Sequence, residues 1–267
     1  MRDGRAAKRE LLAFLIGFLL IAPAITRADE SAANPTLFIV GDSTVKNGTR
    51  DQVGWGEEIG ALFDSSRINV QNRAIGGRSS RTFITEGRWD KILADAKAGD
   101  FVLLQMGHND GGKPDDPARP RGSLPGLGEE TLEIDNPQTK KHEVVHTYGW
   151  YMRKYINDAK AKGMTPIICS PVPHRPKTPV EAGAVENSRY VTWSSQIAEA
   201  EQVPFINLNK IIMQHYVGMT PDDIKAKYFT TADDTHSNRD GAKLNASCVV
   251  DGLRGLKDVA VVKYLRE

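Results

Sequence analysis

Short apolar runs bounded by turn residues recur along the chain. The runs with the length of a buried strand are Thr36–Val40, Ile68–Asn72, Phe101–Met106, Pro166–Ser170 and Pro204–Asn207. A continuous run of roughly four to eight such residues, without strict polar alternation, is typical of a strand covered on both faces. The pattern therefore predicts five buried strands.

Between these runs lie segments whose apolar residues have helical spacing. The clearest faces are marked by Tyr148, Met152, Tyr155, Ile156 and Ala159, and by Tyr190, Trp193, Ile197 and Ala200. Because consecutive parallel strands need a crossover helix, the alternation predicts an α/β fold. We expect a three-layer α/β/α sandwich around a five-stranded parallel sheet, with the site beyond the carboxyl ends of the strands.

One region departs from the alternation. The segment at about 111–142 is rich in proline, glycine and charged residues. It contains a possible hairpin that pairs Glu129–Ile134 with Lys141–Val145 across Asn136-Pro137. A long insertion of this kind is usually a lid or a binding loop, although a surface excursion is the alternative. We favour the lid because the insertion follows a candidate catalytic strand end.

The amino-terminal segment is excluded from the fold prediction. Basic residues precede an apolar stretch, Leu11–Ile25, and small residues end at Ala28, as in an export signal. The stretch is interrupted by Pro23 and is shorter than the roughly 20 residues that span a bilayer, so a membrane anchor is disfavoured. We expect residues 1–28 to be a signal peptide and residues 29–267 to be one secreted or periplasmic domain.

Charge and cysteine content exclude several classes of protein. The chain has 35 Lys and Arg against 34 Asp and Glu, so its net charge of +1 gives no indication of a nucleic-acid partner. Cys169 and Cys248 are far apart and form no Cys-x-x-Cys motif. This excludes a disulfide-rich scaffold and a cysteine-based zinc site, and it leaves at most one disulfide.

A serine follows the first predicted strand, where the chain leaves the sheet. Ser43 lies in the motif Gly41-Asp42-Ser43-Thr44, a position that suits a nucleophile. The same motif is also ordinary turn chemistry, and Ser43 could cap the next helix. The elbow motif Gly-x-Ser-x-Gly is not matched because Val45 stands where the second glycine belongs, which disfavours a standard α/β-hydrolase.

Polar groups suited to acyl transfer follow two other strands and precede the last predicted helix. Gly76-Gly77 and Asn109 could donate hydrogen bonds to a tetrahedral oxyanion. Asp233, three residues before His236, could orient the imidazole as a catalytic triad requires. Each feature alone also fits a tight turn, an Asx-turn or a capping histidine. Their shared position at one edge of the sheet favours a serine hydrolase.

These motifs carry a family resemblance. Gly41-Asp42-Ser43, the glycine pair, Gly107-x-Asn109-Asp110 and Asp233-x-x-His236 resemble, in order, the four blocks of the SGNH (GDSL) hydrolases, over residues 36 to about 250. The surrounding sequence resembles the rhamnogalacturonan acetylesterase branch of that family in three segments: Phe38–Val45, His146–Tyr151 and Pro171-Val172-Pro173.

The resemblance implies a secreted serine esterase that removes O-acetyl groups from a plant cell-wall polysaccharide, rhamnogalacturonan first and acetylated xylan as the alternative. It assigns the triad to Ser43, His236 and Asp233, and the oxyanion hole to Ser43, Gly77 and Asn109. Gly77 is preferred to Gly76 because it stands before Arg78-Ser79, as in the related proteins. The implied two-step acyl transfer requires no cofactor and no metal.

The resemblance also implies an acidic substrate, because galacturonate carries a carboxylate. Arg78, Arg81 and Arg175 lie on segments that follow strands, where an arginine fork could bind that group. Most arginines are simply solvated, so each is only a candidate substrate contact. Asp234, next to the expected orienter Asp233, is expected to cap the following turn or helix.

Two functions of other classes compete with the esterase. His142-Glu143-Val144-Val145-His146 spells His-Glu-x-x-His, which on a helix would place two zinc ligands on one face of a metallopeptidase. Met152 occupies the position of the third histidine in the longer zinc signature. The other alternative is a catalytically silent carbohydrate-binding protein on the same fold.

Overall fold

The computed structural model describes residues 34–267, so the expected signal peptide lies outside the described residues. The strands are β1 (Thr36–Val40), β2 (Asn69–Asn72), β3 (Phe101–Leu104), β4 (Thr131–Asp135), β5 (His142–His146), β6 (Thr165–Cys169) and β7 (Phe205–Ile206). The α-helices are α1 (Trp55–Glu58), α2 (Ser80–Thr85), α3 (Arg88–Asp95), α4 (Tyr148–Ala161), α5 (Arg189–Ala200), α6 (Leu208–His215), α7 (Pro221–Tyr228) and α8 (Arg239–Arg254). Two 3₁₀ turns lie at Ile59–Leu62 and Ala260–Tyr264.

The main sheet has five strands in the order β2-β1-β3-β6-β7, and every pairing is parallel. The prediction of a five-stranded parallel sheet is confirmed. Every residue of β1 and β3 is buried, which is why these segments show no polar alternation. β2 is an edge strand in which Asn69 is exposed and the other three residues are partly buried.

Helices cover both faces of the sheet. Leu37 and Ile39 of β1 point to a core shared with α1, α6 and α8, whereas Phe38 and Val40 point to a core shared with α3, α4 and α5. Successive side chains of a strand alternate between faces, so one fully apolar strand contributes to both cores. This arrangement confirms the predicted three-layer sandwich.

The strand order places a crevice at the carboxyl ends of β1 and β3. From β1 the chain passes to β2 on one side, and then to β3 on the other side of β1. In open α/β sheets, ligands bind where the strand order reverses in this way. The loops that leave β1, β2 and β3 therefore meet at one edge of the sheet.

The predicted hairpin is formed by β4 and β5, which pair antiparallel from Thr131↔His146 to Asp135↔His142. It extends the irregular segment that begins after β3, and we call residues 111–146 the insertion. No helix of residues 34–267 is long and apolar enough to span a bilayer.

Both cysteines are buried free thiols, so the disulfide that the sequence left open does not form. Cys169 lies on β6 and Cys248 on α8. Burial raises the pKa of both thiols, which keeps them protonated and unreactive at neutral pH.

Candidate active site

The turn that carries Ser43 is built around the buried carboxylate of Asp42. Its Oδ1 accepts hydrogen bonds from the Thr44 amide and hydroxyl, both at 2.8 Å. Its carbonyl accepts from the Val45 and Lys46 amides at 3.1 and 3.0 Å. These bonds form a tight turn directly after β1. Ser43 is half-buried and its side chain lines the cleft at the carboxyl edge of the sheet.

The structure brings Ser43, His236 and Asp233 together. His236 Nε2 lies 2.9 Å from Ser43 Oγ, and His236 Nδ1 lies 2.7 Å from Asp233 Oδ2. Since a carboxylate only accepts, Nδ1 carries the proton and Nε2 faces the serine as an acceptor. The three side chains thus have the geometry of nucleophile, base and orienter.

The Asp233 carboxylate is held in the ionised form. Its Oδ1 accepts from the Thr235 and His236 amides at 2.8 Å each, and Gln52 donates to its Oδ2 at 3.2 Å. Burial alone would raise the pKa of Asp233, but hydrogen bonds from His236 and Thr235 outweigh it and hold that pKa below its usual value. An ionised carboxylate is what stabilises an imidazolium.

Asp234 has a different role from its neighbour and from the cap that the sequence suggested. It accepts from Arg175 Nε at 2.7 Å, from Lys225 at 3.1 Å and also from Lys177. These hydrogen bonds hold the pKa of Asp234 well below its usual range. Because Lys225 lies on α7, Asp234 ties the loop that carries His236 to that helix.

The candidate oxyanion donors face the same space. The backbone N–H groups of Ser43, Gly76 and Gly77 have no acceptor within residues 34–267. Asn109 Nδ2 donates to the Arg78 carbonyl at 3.0 Å, which leaves its second amide hydrogen free for a ligand. Gly77 has a φ of 77°, a conformation that favours glycine.

These groups line a cleft of about 940 Å³. The strand-end loops contribute Ser43 and Gly77, the α7–α8 loop contributes His236, and the insertion contributes Arg119, Arg121 and Gln138. The insertion therefore forms part of the cleft wall, as expected of a segment that follows β3.

The three candidate substrate arginines have different surroundings. Arg78 lines the cleft and forms an ion pair with Glu86 at 3.0 Å. Arg81 is fully buried and does not reach the cleft, because its guanidinium forms an ion pair with Glu143 at 2.8 Å. Arg175 is bound to Asp234, as described above, and is absent from the cleft lining of residues 34–267.

The His-Glu-x-x-His segment is strand β5, so the alternative of a zinc metallopeptidase with two ligands on one helical face is not supported. At a strand rise of about 3.3 Å per residue, His142 and His146 are roughly 13 Å apart along β5, too far to share one metal. His146 stacks on Trp150 with ring centroids 3.8 Å apart. Within residues 34–267, no three His, Cys, Asp or Glu side chains are arranged to hold a metal ion.

His108 and Asp42 form a buried ion pair beneath the turn that carries Ser43, which the sequence pattern did not predict. His108 Nδ1 lies 3.3 Å from Asp42 Oδ2, and His108 Nε2 lies 3.1 Å from the Val172 carbonyl. Both ring nitrogens face oxygen atoms, an arrangement that favours the imidazolium form. Burial, the largest single cause, lowers the pKa of His108, but the charge and hydrogen bonding of Asp42, together with Glu186 and the Val172 carbonyl, raise that pKa overall. The signal was available, because His108 lies inside the Gly107-x-Asn109 block.

A second buried network supports the same turn. Gln105 Nε2 donates to Thr44 Oγ1 at 2.7 Å, and the Trp55 indole donates to Gln105 Oε1 at 2.7 Å. The side chain of Gln105, which directly follows β3, thereby fixes the turn after β1. Nothing in the sequence pattern pairs these three residues.

The sequence matches known proteins over most of its length. Residues 39–244 match the family model of the GDSL-like Lipase/Acylhydrolase family. The chain is 31% identical over 218 residues to a rhamnogalacturonan acetylesterase of Emericella nidulans, covering 81% of this chain and 83% of that protein. It is 27% identical over 237 residues to the rhamnogalacturonan acetylesterase RhgT of Bacillus subtilis, covering 82% of this chain and 90% of that protein.

Solved structures share the fold. The Bacillus subtilis protein YxiM aligns with a TM-score of 0.65 and 27% identity, over 83% of this chain and 56% of YxiM. This chain thus spans little more than half of that longer protein. An acetylxylan esterase of Geobacillus stearothermophilus aligns with a TM-score of 0.55 and 17% identity, over 87% of this chain and 97% of that chain. On the strength of the family match, the chain belongs to the GDSL-like lipase/acylhydrolase family.

Proposed function

We propose that this protein is a carbohydrate O-acetylesterase that removes acetyl groups from rhamnogalacturonan by a serine mechanism. The observation that carries the proposal is the contact of 2.9 Å between Ser43 Oγ and His236 Nε2, with Asp233 on the other ring nitrogen. The names of the Emericella nidulans and Bacillus subtilis relatives support the acetylated pectin as substrate.

In the first step, His236 Nε2 takes the proton of Ser43 Oγ while the oxygen attacks the acetyl carbonyl carbon. The carbonyl oxygen becomes an oxyanion, which accepts hydrogen bonds from the Ser43 and Gly77 amides and from the Asn109 side chain. The ionised Asp233 stabilises the imidazolium that forms. Each group acts where charge develops, so it stabilises the transition state more than the substrate.

The tetrahedral intermediate then collapses. His236 donates its proton to the sugar oxygen, the carbon–oxygen bond to the sugar breaks, and acetyl-Ser43 remains. A water molecule next gives its proton to His236 and attacks the acetyl carbon. The second intermediate collapses as His236 returns the proton to Ser43 Oγ, and it releases acetic acid, which ionises to acetate in water. The ester and one water molecule are consumed, the three side chains return to their starting state, and no other reactant is required.

The other functions are distinguished by what they need. A silent carbohydrate-binding protein has no requirement for a histidine between a serine hydroxyl and a carboxylate, yet the hydrogen bonds at 2.9 and 2.7 Å are both present. Acetylated xylan stays the alternative substrate. The acetylxylan esterase with 17% identity supports only the common fold.

The decisive experiment is acetate release by the purified protein and by its Ser43→Ala variant. Acetylated rhamnogalacturonan, acetylated xylan and 4-nitrophenyl acetate are compared, each with and without a chelator. We expect Ser43→Ala to lose activity by roughly 10⁴-fold or more, because the acyl-enzyme route is removed. Ser65→Ala, an exposed serine on the loop before β2, is the matched control and should keep full activity.

Two results contradict the proposal. Undiminished acetate release by Ser43→Ala would remove the serine mechanism. Peptide hydrolysis that is lost with the chelator and survives Ser43→Ala would establish a metallopeptidase instead. The ratio of rates on pectin and xylan decides between the two polysaccharides.

We also propose that residues 1–28 direct export. The test is the amino terminus of the protein recovered outside the inner membrane. It should begin at Asp29, the residue after Ala28. Recovery of a chain that still begins at Met1 would contradict this.

A further inference from the structure

Arg121 lies over the glycine pair of the candidate oxyanion hole. Its Nη1 is 3.5 Å from the Gly77 carbonyl oxygen. A Cβ atom at position 77 would stand 3.6 Å from the same nitrogen. The neighbouring Gly76 is in turn close to Ser43, since a Cβ there would lie 3.5 Å from the Ser43 Cβ. The half-buried Arg121 side chain thus lies beside Gly77, and the adjacent Gly76 lies beside Ser43.

Buried groups fix the backbone on both sides of Arg121. Arg81, fully buried, donates to the Pro120 carbonyl at 2.8 Å and to the Gly122 carbonyl at 2.6 Å. The Arg81 charge is compensated by Glu143 at 2.8 Å. An arginine whose backbone is held in this way loses less entropy when it binds a ligand. Arg81 thus serves to place Arg121 at the cleft wall.

The charge balance of the cleft leaves Arg121 without an anionic partner. Within residues 34–267, no carboxylate forms an ion pair with Arg121, Arg119 or Lys141, all of which line the cleft. The two lining glutamates are already paired: Glu143 with Arg81, and Glu86 with two arginines of its own neighbourhood.

Burial, and after it the neighbouring Arg119, lower the pKa of Arg121. A shift in this direction means that the protein itself does not fully compensate the cation. A planar guanidinium with free N–H donors matches a carboxylate with two parallel hydrogen bonds. The missing partner therefore has the chemistry of a ligand carboxylate.

We propose that Arg121 binds the carboxylate of a uronic acid in the saccharide chain beside the acetyl ester, and so selects acidic over neutral acetylated saccharides. The inference rests on the proposed esterase function, since it places the sugar chain in the cleft next to Ser43. Arg119 and Lys141 add positive charge to the same wall without a fixed contact to Gly77.

The activity test compares Arg121→Gln and Arg121→Lys with the parent enzyme on acetylated oligogalacturonide, acetylated xylo-oligosaccharide and 4-nitrophenyl acetate. For Arg121→Gln we expect kcat/KM on the acidic substrate to fall roughly 10- to 100-fold, mainly through KM, as loss of a charge-assisted pair does. Both neutral esters should be hydrolysed at nearly parental rates. Arg121→Lys should recover part of the loss, because it keeps the charge without the fork.

The matched control is Lys113→Gln, which removes one positive charge from an exposed position of the same insertion outside the cleft lining. It should leave all three substrates unaffected. An equal loss on acidic and neutral esters in Arg121→Gln would overturn the inference, because Arg121 would then serve the oxyanion or the fold. Unchanged kinetics on the acidic substrate would overturn it as well.

A binding measurement separates this inference from the proposed function. Calorimetric titration of the Ser43→Ala protein with unacetylated oligogalacturonide should give an affinity that Arg121→Gln weakens roughly 10- to 100-fold. Arg121-dependent binding by a protein that hydrolyses no acetate ester would defeat the esterase function and leave the carboxylate site standing. Acetate release by the parent, without Arg121-dependent binding of the oligogalacturonide, would defeat the carboxylate site and leave the esterase function standing. Circular dichroism and the thermal midpoint check that each variant is folded.

Discussion

The loops that follow β1 and β3 and the insertion line the same cleft, but different interactions hold them in place. Ser43 and Asn109 each follow a central strand of the sheet, and the pairing of β1 with β3 sets where both loops begin. The insertion is not paired with that sheet. Within the described residues it is attached through the buried side chains of Arg81 on α2 and Asp110 in the β3 loop, and through hydrogen bonds to the first turns of α4.

Under the proposed function, we expect this difference to separate turnover from substrate selectivity. Groups that react or stabilise charge must be placed within a fraction of an ångström, which rigid strand ends achieve. A wall built outside the main sheet can change shape or charge while the groups at the strand ends keep their positions. Substitutions in the strand-end loops should therefore change turnover on every ester, whereas substitutions in the insertion should change stability and preference for substrate.

The largest effect is expected at Asp233. Asp233→Asn should lower kcat by roughly 10³- to 10⁴-fold with the fold intact, because an amide cannot support the imidazolium and can hold the wrong tautomer. Asp234→Asn, its neighbour and matched control, should keep kcat near the parental value. It loses the ion pairs with Arg175 and Lys225, so a small loss of stability that shrinks with added salt is expected.

Both variants are measured for acetate release and for thermal midpoint at two salt concentrations. Crippled turnover in Asp234→Asn beside a nearly normal Asp233→Asn would show that the orienter is assigned to the wrong aspartate.

The second effect concerns Asn109. Asn109→Ala should lower kcat by roughly 10²- to 10³-fold on acidic and neutral esters alike, as the loss of one oxyanion donor does. Gln138→Ala removes an amide that lines the same cleft from the insertion and donates to the Ala118 carbonyl. Its kcat on 4-nitrophenyl acetate should be unchanged. Equal kcat losses in the two variants would abolish the distinction between the two regions.

The sequence predicts the strand-end region well because its signals are local. β1 has the predicted bounds, Thr36–Val40, since full burial makes the whole run apolar. Ser43 could be placed because its position follows from the end of that strand. The last strand was predicted at Pro204–Asn207 and is shorter, Phe205–Ile206, because only those residues pair with β6.

The insertion is less predictable because its interactions join residues that are distant in sequence. Arg81 and Glu143 are 62 positions apart, and nothing local shows that the arginine points inward. The spacing of His142 and His146 is equally uninformative, because residues four apart share a face in a helix and in a strand alike. Val144-Val145 between them was the available signal, since β-branched residues favour strands.

The third effect is a loss of stability at the contact between α2 and the insertion. Arg81→Met should lower the free energy of unfolding by about 3 kcal/mol, because it leaves the Glu143 carboxylate in a mostly buried site without its partner. At denaturant concentrations below the unfolding midpoint, the rate of 4-nitrophenyl acetate hydrolysis should change little. Selectivity for the acidic substrate should fall, because the carbonyls of Pro120 and Gly122 lose the donor that fixes Arg121.

Adding Glu143→Gln to Arg81→Met is the control, and it should restore part of the lost stability by removing the unpaired charge. Denaturant unfolding and the ratio of kcat/KM on acidic and neutral esters measure both quantities. An Arg81→Met variant with parental stability and parental selectivity would show that Arg81 does not hold the insertion in place.

The smallest effect is a pH dependence of stability at Asp110, where the β3 loop contacts the insertion. Burial raises the pKa of Asp110 to about 6, although hydrogen bonds from Ser80 and Ser123 lower it. Its ordinary value is about 3.9, so the folded protein binds this proton more tightly than the unfolded chain. The stabilisation from Asp110 is therefore complete below about pH 4 and is lost as the pH rises through the folded-state pKa of about 6.

The Asp110→Asn variant has no titrating group at position 110. Between pH 4 and pH 7 its thermal midpoint should therefore rise relative to that of the parent. Asp115→Asn, an exposed carboxylate of the insertion, is the control and should follow the parental curve. Parallel curves for Asp110→Asn and the parent would show that Asp110 does not couple the insertion to pH.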